Sequence, residues 1–266
     1  MGQLEPPILP NKLYRYRSVA RDKHAIKQEI ACIRENYLWC SDFTCMNDPM
    51  EGFYRPSSGL KRKSDYDRTL QRITTRKIAL GISCFSDTRE NILLWTHYAG
   101  NYSGICVAYS PRALVEGLPG KASLIRLGYD DDPPLISSDV GRDVNRAARV
   151  ILSQKKFNWA YEREWRVLAP KGKVHLECQN PVRAVYLGSR IGSQHRQQIV
   201  SALQGSGIEV YAMEIDGYAH AWIPLNAPAR AKTKPAIRTA PKARRKAKAK
   251  RKVKAKRKAK AGRSSG

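Results

Sequence analysis

The sequence predicts an α+β fold: a single domain with a mixed, mainly antiparallel sheet and flanking helices, followed by a disordered basic tail. Three observations lead there. Short apolar runs suited to strands are interspersed with amphipathic helical stretches, and they do not alternate as strictly as a doubly wound parallel sheet requires. Hydrophobic residues make up 42% and charged residues 27% of the 266, enough apolar material for one sizeable core. Composition then changes abruptly near residue 227. Of 49 Lys+Arg, 18 lie in residues 227–266 with no acid, so residues 1–226 keep 31 against 23 Asp+Glu, a net of +8 out of +26. The expected division is a globular domain over residues 1–226 and a tail over 227–266.

The elements follow in order. LYRYRS (residues 13–18) opens the body as a first strand. Residues 25–36 put Ile26, Ile30 and Ile33 on one stripe and predict a helix, with YLWCS after it as a short strand. Asn47-Asp48-Pro49 is a turn signature, and Glu51 just beyond it is a carboxylate that a rigid turn can aim. Residues 65–77 predict a basic helix, and ALGISCFS (79–86) a buried strand. In residues 87–101, Asp87 with Glu90 suits a capping box, and Gly100-Asn101 a left-handed stop. GICVAYSP (104–111) predicts a second buried strand, and YDDDPPLISSD (129–139) an acidic, proline-broken loop. Val140, Val144, Ala148 and Ile151 share one side of a helix over 140–157. YEREWRVL (161–168), VRAVYLG (182–188) and IEVYAMEI (208–215) predict three more strands, with a helix over 193–203 between the last two.

Several function classes are set aside by the same residues. No apolar run reaches the ~18 residues of a membrane span, and the first residues lack the basic start and apolar stretch of a signal peptide. The six cysteines show no metal-type pairing, the five histidines are scattered, and no metal site is expected. Cys84 and Cys106 lie in apolar strand runs and are expected as small core residues. No Gly-x-Ser-x-Gly surrounds Ser83 or Ser86, so a serine hydrolase is not expected. The expectation is a reduced, cytoplasmic protein, nucleoid-associated through its tail.

Four segments recur in fixed order: LYRYRS, NDPMEG, ISCFSDTRENILLWTHYAGNYSGICVAY and FNWAYEREWRVL. Over residues 12–215 they resemble the bacterial "domain of unknown function 2971" family, and the basic tail lies outside that resemblance. It implies a bacterial domain whose polar motifs form one site, without naming a reaction.

At pattern level the polar motifs are also similar to the ADP-ribosyltransferase arrangement. Read as a strand, 161–168 puts Tyr161, Arg163, Trp165 and Val167 on one face and Glu162, Glu164, Arg166 and Leu168 on the other, with the two carboxylates about 7 Å apart. The resemblance implies that Glu164 or Glu162 stabilises an oxocarbenium-like transition state, since a fixed carboxylate opposes developing positive charge. It implies NAD as the ligand, with Arg15 or Arg17 holding the diphosphate, Ser83 or Ser86 in the middle strand, and Arg166 beside the carboxylates. His97 completes the catalytic set and lines the pocket with Tyr98, against a nicotinamide or adenine ring. Ser-Cys-Phe-Ser departs from a strict Ser-Thr-Ser, and no Gly-rich phosphate loop precedes a helix. A defence or toxin-like effector is the setting such an enzyme would suit. A non-catalytic interaction module remains open beside it: the two glutamates and Arg166 also suit cross-strand ion pairs, and His97 a packing role.

The tail is built mainly from Lys, Arg, Ala and Pro and has no aromatic residue. It cannot bury a core and is expected to be disordered, similar in composition to histone H1-like tails. Lys242, Arg244, Arg245, Lys246, Lys248, Lys250, Arg251, Lys252, Lys254, Lys256, Arg257, Lys258 and Lys260 are the expected contacts to DNA or RNA phosphates. Counterion release makes such binding sequence-independent and steeply salt-dependent, and without aromatics no base stacking is expected.

Overall fold

The computed structural model describes residues 8–19 and 24–226. The expected contacts from Lys242 to Lys260 lie outside these residues. In chain order the first elements are β1 (Leu13–Arg17), α1 (Ala25–Arg34), β2 (Tyr37–Asp42), β3 (Arg55–Pro56), α2 (Ser58–Lys61), α3 (Tyr66–Ala79) and β4 (Leu80–Ser86). Then come α4 (Ile92–His97), β5 (Ile105–Tyr109), α5 (Pro111–Gly117), β6 (Ser123–Arg126), β7 (Gly128–Asp130), β8 (Leu135–Ile136), α6 (Ser138–Arg142), α7 (Val144–Ile151) and β9 (Gln154–Lys156). The chain continues through β10 (Glu164–Pro170), β11 (Gly172–His175), β12 (Val182–Leu187), α8 (Ser193–Leu203), β13 (Glu209–Asp216) and β14 (Ala219–Pro224). The expected α+β class, with its mixed and mainly antiparallel sheet, is what forms.

The main sheet has ten strands in the order β11-β2-β4-β1-β5-β12-β13-β14, with β10 on β4 and β6 on β10. Among these pairs β12 with β13 is parallel and the rest are antiparallel. One face buries Leu13, Phe85, Val107, Trp165, Val167 and Val185 against Ile26 and Ile33 of α1 and Ile199 and Leu203 of α8. On the other face Ala148 of α7 and Leu152 just past it cover Ile82 and Leu168, and Leu94 and Trp95 of α4 anchor an aromatic cluster.

β4 is the strand that makes room for a site. β10 occupies one of its edges along the whole length, from Glu164↔Ser86 to Pro170↔Leu80. The opposite edge is shared: β2 takes Gly81 and Ile82, β1 meets it only at Tyr14↔Ser86, and Ser83, Cys84 and Phe85 face no strand there. Close approach is enforced beside this break, since a Cβ on Gly81 would stand 2.8 Å from the Cys40 carbonyl oxygen.

Several local expectations are corrected. The helix expected over 140–157 is two helices, because Asp143 is extended and its carboxylate caps Asn145 and Arg146; α7 ends at Ile151, which places Lys155 in β9. α4 is capped by Asn91, whose side chain accepts from the amides of Leu93 and Leu94, and not by an Asp87/Glu90 box. The left-handed stop does form, with φ of 56° at Gly100 and 52° at Asn101. After β5, Ser110 caps the unexpected α5 and accepts from Ala113. The strand expected over 161–168 starts only at Glu164: Phe157–Glu162 is a 3-10 turn, and Arg163 is left-handed at φ 49°, ψ 49°. Arg163 therefore does not share a strand face with Trp165; it points outward and pairs with Asp87 at 2.7 Å.

Candidate functional site

The break in the β4 edge opens a cavity of about 350 Å³. Strand alternation puts Arg15 and Ser83 on the face with Leu13 and Phe85, and Ser86, Cys84, Glu164 and Arg166 on the opposite face. A closed sheet would separate the two sets. The missing pairing lets both line one space, together with Tyr98, Lys155 and Glu162.

On the acidic side the left-handed kink at Arg163 turns Glu162 inward beside Glu164, and both are 4% exposed. Ser86 donates to the Glu162 carbonyl at 2.7 Å, and the Glu164 amide donates to the Tyr129 hydroxyl at 2.7 Å, so backbone bonds fix both residues. Arg166, fully buried, donates from Nε to Glu164 Oε1 at 2.7 Å and from Nη2 to Glu164 Oε2 at 3.1 Å. It also grips Glu51 through Nη1 at 2.6 Å and Nη2 at 2.8 Å, and the Leu152 carbonyl through Nη1 at 3.0 Å. Every N–H of the guanidinium is thereby used. Lys155 Nζ donates to Glu162 Oε2 at 2.6 Å, stands 3.5 Å from Glu164 Oε2, and lies 4.4 Å from the Trp159 ring centre. The Tyr98 hydroxyl donates to Glu162 Oε1 at 2.6 Å.

Three carboxylates and two cations leave this network with a formal charge of −1. Its glutamates differ in kind. Burial opposes the charge on Glu164, but Arg166 and Lys155 outweigh it and hold the carboxyl down at about 2. Burial pushes the Glu162 carboxyl up against the pull of Lys155, and the charge on Glu164 adds to the rise. Burial also raises the Tyr98 hydroxyl, with Glu162 contributing. Two neighbouring acids whose environments separate their proton affinities are the arrangement that acid–base chemistry uses.

The opposite side is basic. Arg15 is 4% exposed; its Nη2 donates to the Trp39 carbonyl at 3.1 Å, and its Nη1 is buried without a partner. Ser83 Oγ is likewise buried without a partner. A buried polar group left unpaired costs on the order of 1–3 kcal/mol, so two of them on one cavity wall mark where a ligand's acceptors would sit. Arg17 also lines the cavity and pairs with Glu29. Arg15 and Arg17 against the single Glu29 give this side a formal +1, opposite the −1 of the Glu162 network.

The expected site residues thus gather, apart from His97. His97 is exposed at the end of α4 and does not line the cavity. The helix buries Leu94 and Trp95, and at about 100° per residue Tyr98 falls between their directions while His97 falls outside them. Tyr98 lines the cavity as expected, and its hydroxyl donates to Glu162. Ser86 is engaged by the Glu162 and Thr88 backbone, which leaves Ser83 as the uncommitted serine. Lys155, Tyr129 and the grip of Glu51 on Arg166 were not foreseen. A signal for Lys155 does exist in the sequence: two glutamates and one arginine on one buried face need a second cation.

Among the described residues no group of His, Cys, Asp and Glu could hold a metal ion, and no helix is long and apolar enough to cross a membrane. Compared with known protein families, with curated proteins and with solved structures, the chain matches none.

Proposed function

We propose that the body is a nucleotide-using enzyme that cleaves the glycosidic bond of NAD and transfers ADP-ribose, and that the tail tethers it to nucleic acid. The observation that carries the enzyme reading is one cavity lined by Arg15 and Ser83 with unpaired polar atoms and by Glu162, Glu164 and Tyr98. At about 350 Å³ it falls at the low end of the ~300–1,000 Å³ typical of small-ligand sites, which suits the nicotinamide-ribose part of a dinucleotide with the remainder outside. The fixed charge of Glu164 opposes the positive charge that develops on the ribose as the C1′–nitrogen bond breaks. The bonding pair leaves with nicotinamide. An acceptor oxygen or nitrogen bonds to C1′, and Glu162, with the raised proton affinity, takes the acceptor's proton. Arg15 Nη1 supplies charge-assisted donors to phosphate. The order of the four sequence motifs supports placing the body in the "domain of unknown function 2971" family.

The tail reading rests on 18 Lys+Arg without an acid in residues 227–266. If half of them neutralise phosphates, log K against log salt should have a slope near −8, from about 0.9 per contact. Incubating the full chain with NAD and duplex DNA or RNA, and measuring released nicotinamide, tests both halves. Glu162→Gln should lower turnover by about 10²–10⁴ while the protein stays folded, and deleting residues 227–266 should weaken duplex binding and reduce the magnitude of its salt slope by about 8. Absence of both nicotinamide release and NAD binding by calorimetry sinks the enzyme; unchanged duplex affinity in the deletion sinks the tether.

A second reading is favoured by the saturation of Arg166: the network is structural and the body a non-catalytic interaction module. It expects Glu162→Gln and Glu164→Gln to cost stability and nothing else.

A further inference from the structure

The helices packed behind the cavity carry a charge excess that the site does not use. α3 packs on α7 and α2 on α6, around Leu60, Ile73, Ile136, Ala147 and Ile151. Residues 58–79 and 138–151, which make up this layer, contain 10 Lys+Arg against 4 Asp+Glu, a net of +6 out of the +8 of residues 1–226. Its inner side is apolar and its outer side basic: Thr69 and Ile73 of α3 are buried, whereas Lys61, Arg62, Arg68, Arg72, Arg142 and Arg146 are exposed. Arg142 lies 3.7 Å from Asp139; the other five have no acid partner among the described residues. The acids in the layer serve local roles, as Asp65 accepts from Thr69 and Asp143 caps α7.

From this we infer that the outer surface of α2, α3, α6 and α7 is a second nucleic-acid contact, which docks a phosphate backbone against the body itself. The inference rests on the tail reading for the identity of the polyanion, and adds that the body binds it too. Guanidinium groups on solvent-facing helices suit phosphate oxygens, and each phosphate neutralised releases counterions. An anionic membrane fits less well, since interfacial helices pair their basic face with a broad apolar one, and here Ile78 is the single large apolar side chain that α3 exposes. The layer also supports the cavity. Leu152, just past α7, accepts from Arg166, and Lys77 of α3 donates to the carbonyl of Gly52, next to Glu51. A backbone docked here would be held on the helices that buttress the site.

The test is duplex binding by the full chain, followed by fluorescence anisotropy across about 50–200 mM salt. A fourfold variant, Arg68→Gln, Arg72→Gln, Arg142→Gln and Arg146→Gln, should reduce the magnitude of the log–log slope by about 3–4. The matching fourfold Arg→Lys variant should keep the parent slope. Arg112→Gln, Arg183→Gln and Arg196→Gln together change exposed arginines outside the layer and should also leave it unchanged. A parental slope in the Gln variant, with its unfolding transition intact, overturns the inference and leaves the tail reading standing. Equal loss in the off-layer control overturns it too. So does tight binding to anionic phospholipid vesicles that the same four Gln substitutions abolish while duplex binding is unaffected. No duplex binding by the parent chain removes both readings together.

Discussion

Arg166 can be buried because each of its N–H groups meets an acceptor, two carboxylates and one carbonyl among them. Arg166→Met keeps much of the volume but leaves Glu51 and Glu164 buried with less compensation. It should cost on the order of 3–5 kcal/mol in urea unfolding; a loss under about 1 kcal/mol would show that water reaches the network. The two glutamates should also separate by pH. Glu164 is held at about 2, below its ordinary 4.5. Its contribution is therefore fully present above about pH 4.5 and is lost as pH falls toward about 2. The stability gap between the parent and Glu164→Gln should shrink over that window. Glu162 runs the other way: its raised value means the folded form takes up the proton first, so its charge weighs against stability as pH rises through that value. Glu162→Gln should leave the acid limb of the parent in place. Urea midpoints measured from about pH 2 to 7 decide both, and a constant gap for Glu164→Gln would refute the assignment.

At the scale of elements, α4 and the 3-10 turn before β10 are coupled through Asn91. Its Oδ1 caps α4, and its Nδ2 donates to the Tyr161 carbonyl at 2.7 Å, next to Glu162. Asn91→Ala loses both and should cost about 1–2 kcal/mol, whereas Glu90→Gln, at an exposed pair, should cost under ~1 kcal/mol. Comparing the two unfolding midpoints tests the cap; the reverse order would restore the Asp87/Glu90 box. Legibility at this scale follows length. α1, α3 and α8 were readable because ten or more residues show the period of a helix. β14 and β11 were missed, as was α5 of seven residues, because short segments carry too little pattern. The kink at Arg163 was unreadable for another reason. A left-handed arginine costs on the order of 1–2 kcal/mol, so local preference argues for continuing the strand; the bonds of Glu162 to Tyr98 and Lys155 hold the kink.

For the whole molecule, the apolar core described lies within residues 8–226, and residues 227–266 offer nothing comparable to bury. Deleting the tail should leave the urea midpoint of the body, read from its five tryptophans, within about 0.5 kcal/mol of the parent. A larger loss would mean that the tail contributes to folding. The sequence by itself determined the α+β class, the long helices and the change in composition at residue 227, because periodicity and charge counts are local. It also nominated most of the polar residues that meet at the cavity. Only the tertiary structure decided how they meet. The bond between Glu51 and Arg166 spans 115 residues, Lys155 joins from a strand expected as helix, and His97 is turned away by the phase of α4. The cavity itself exists because β1 and β2 each take only part of the β4 edge, and no local pattern encodes a pairing that stops short.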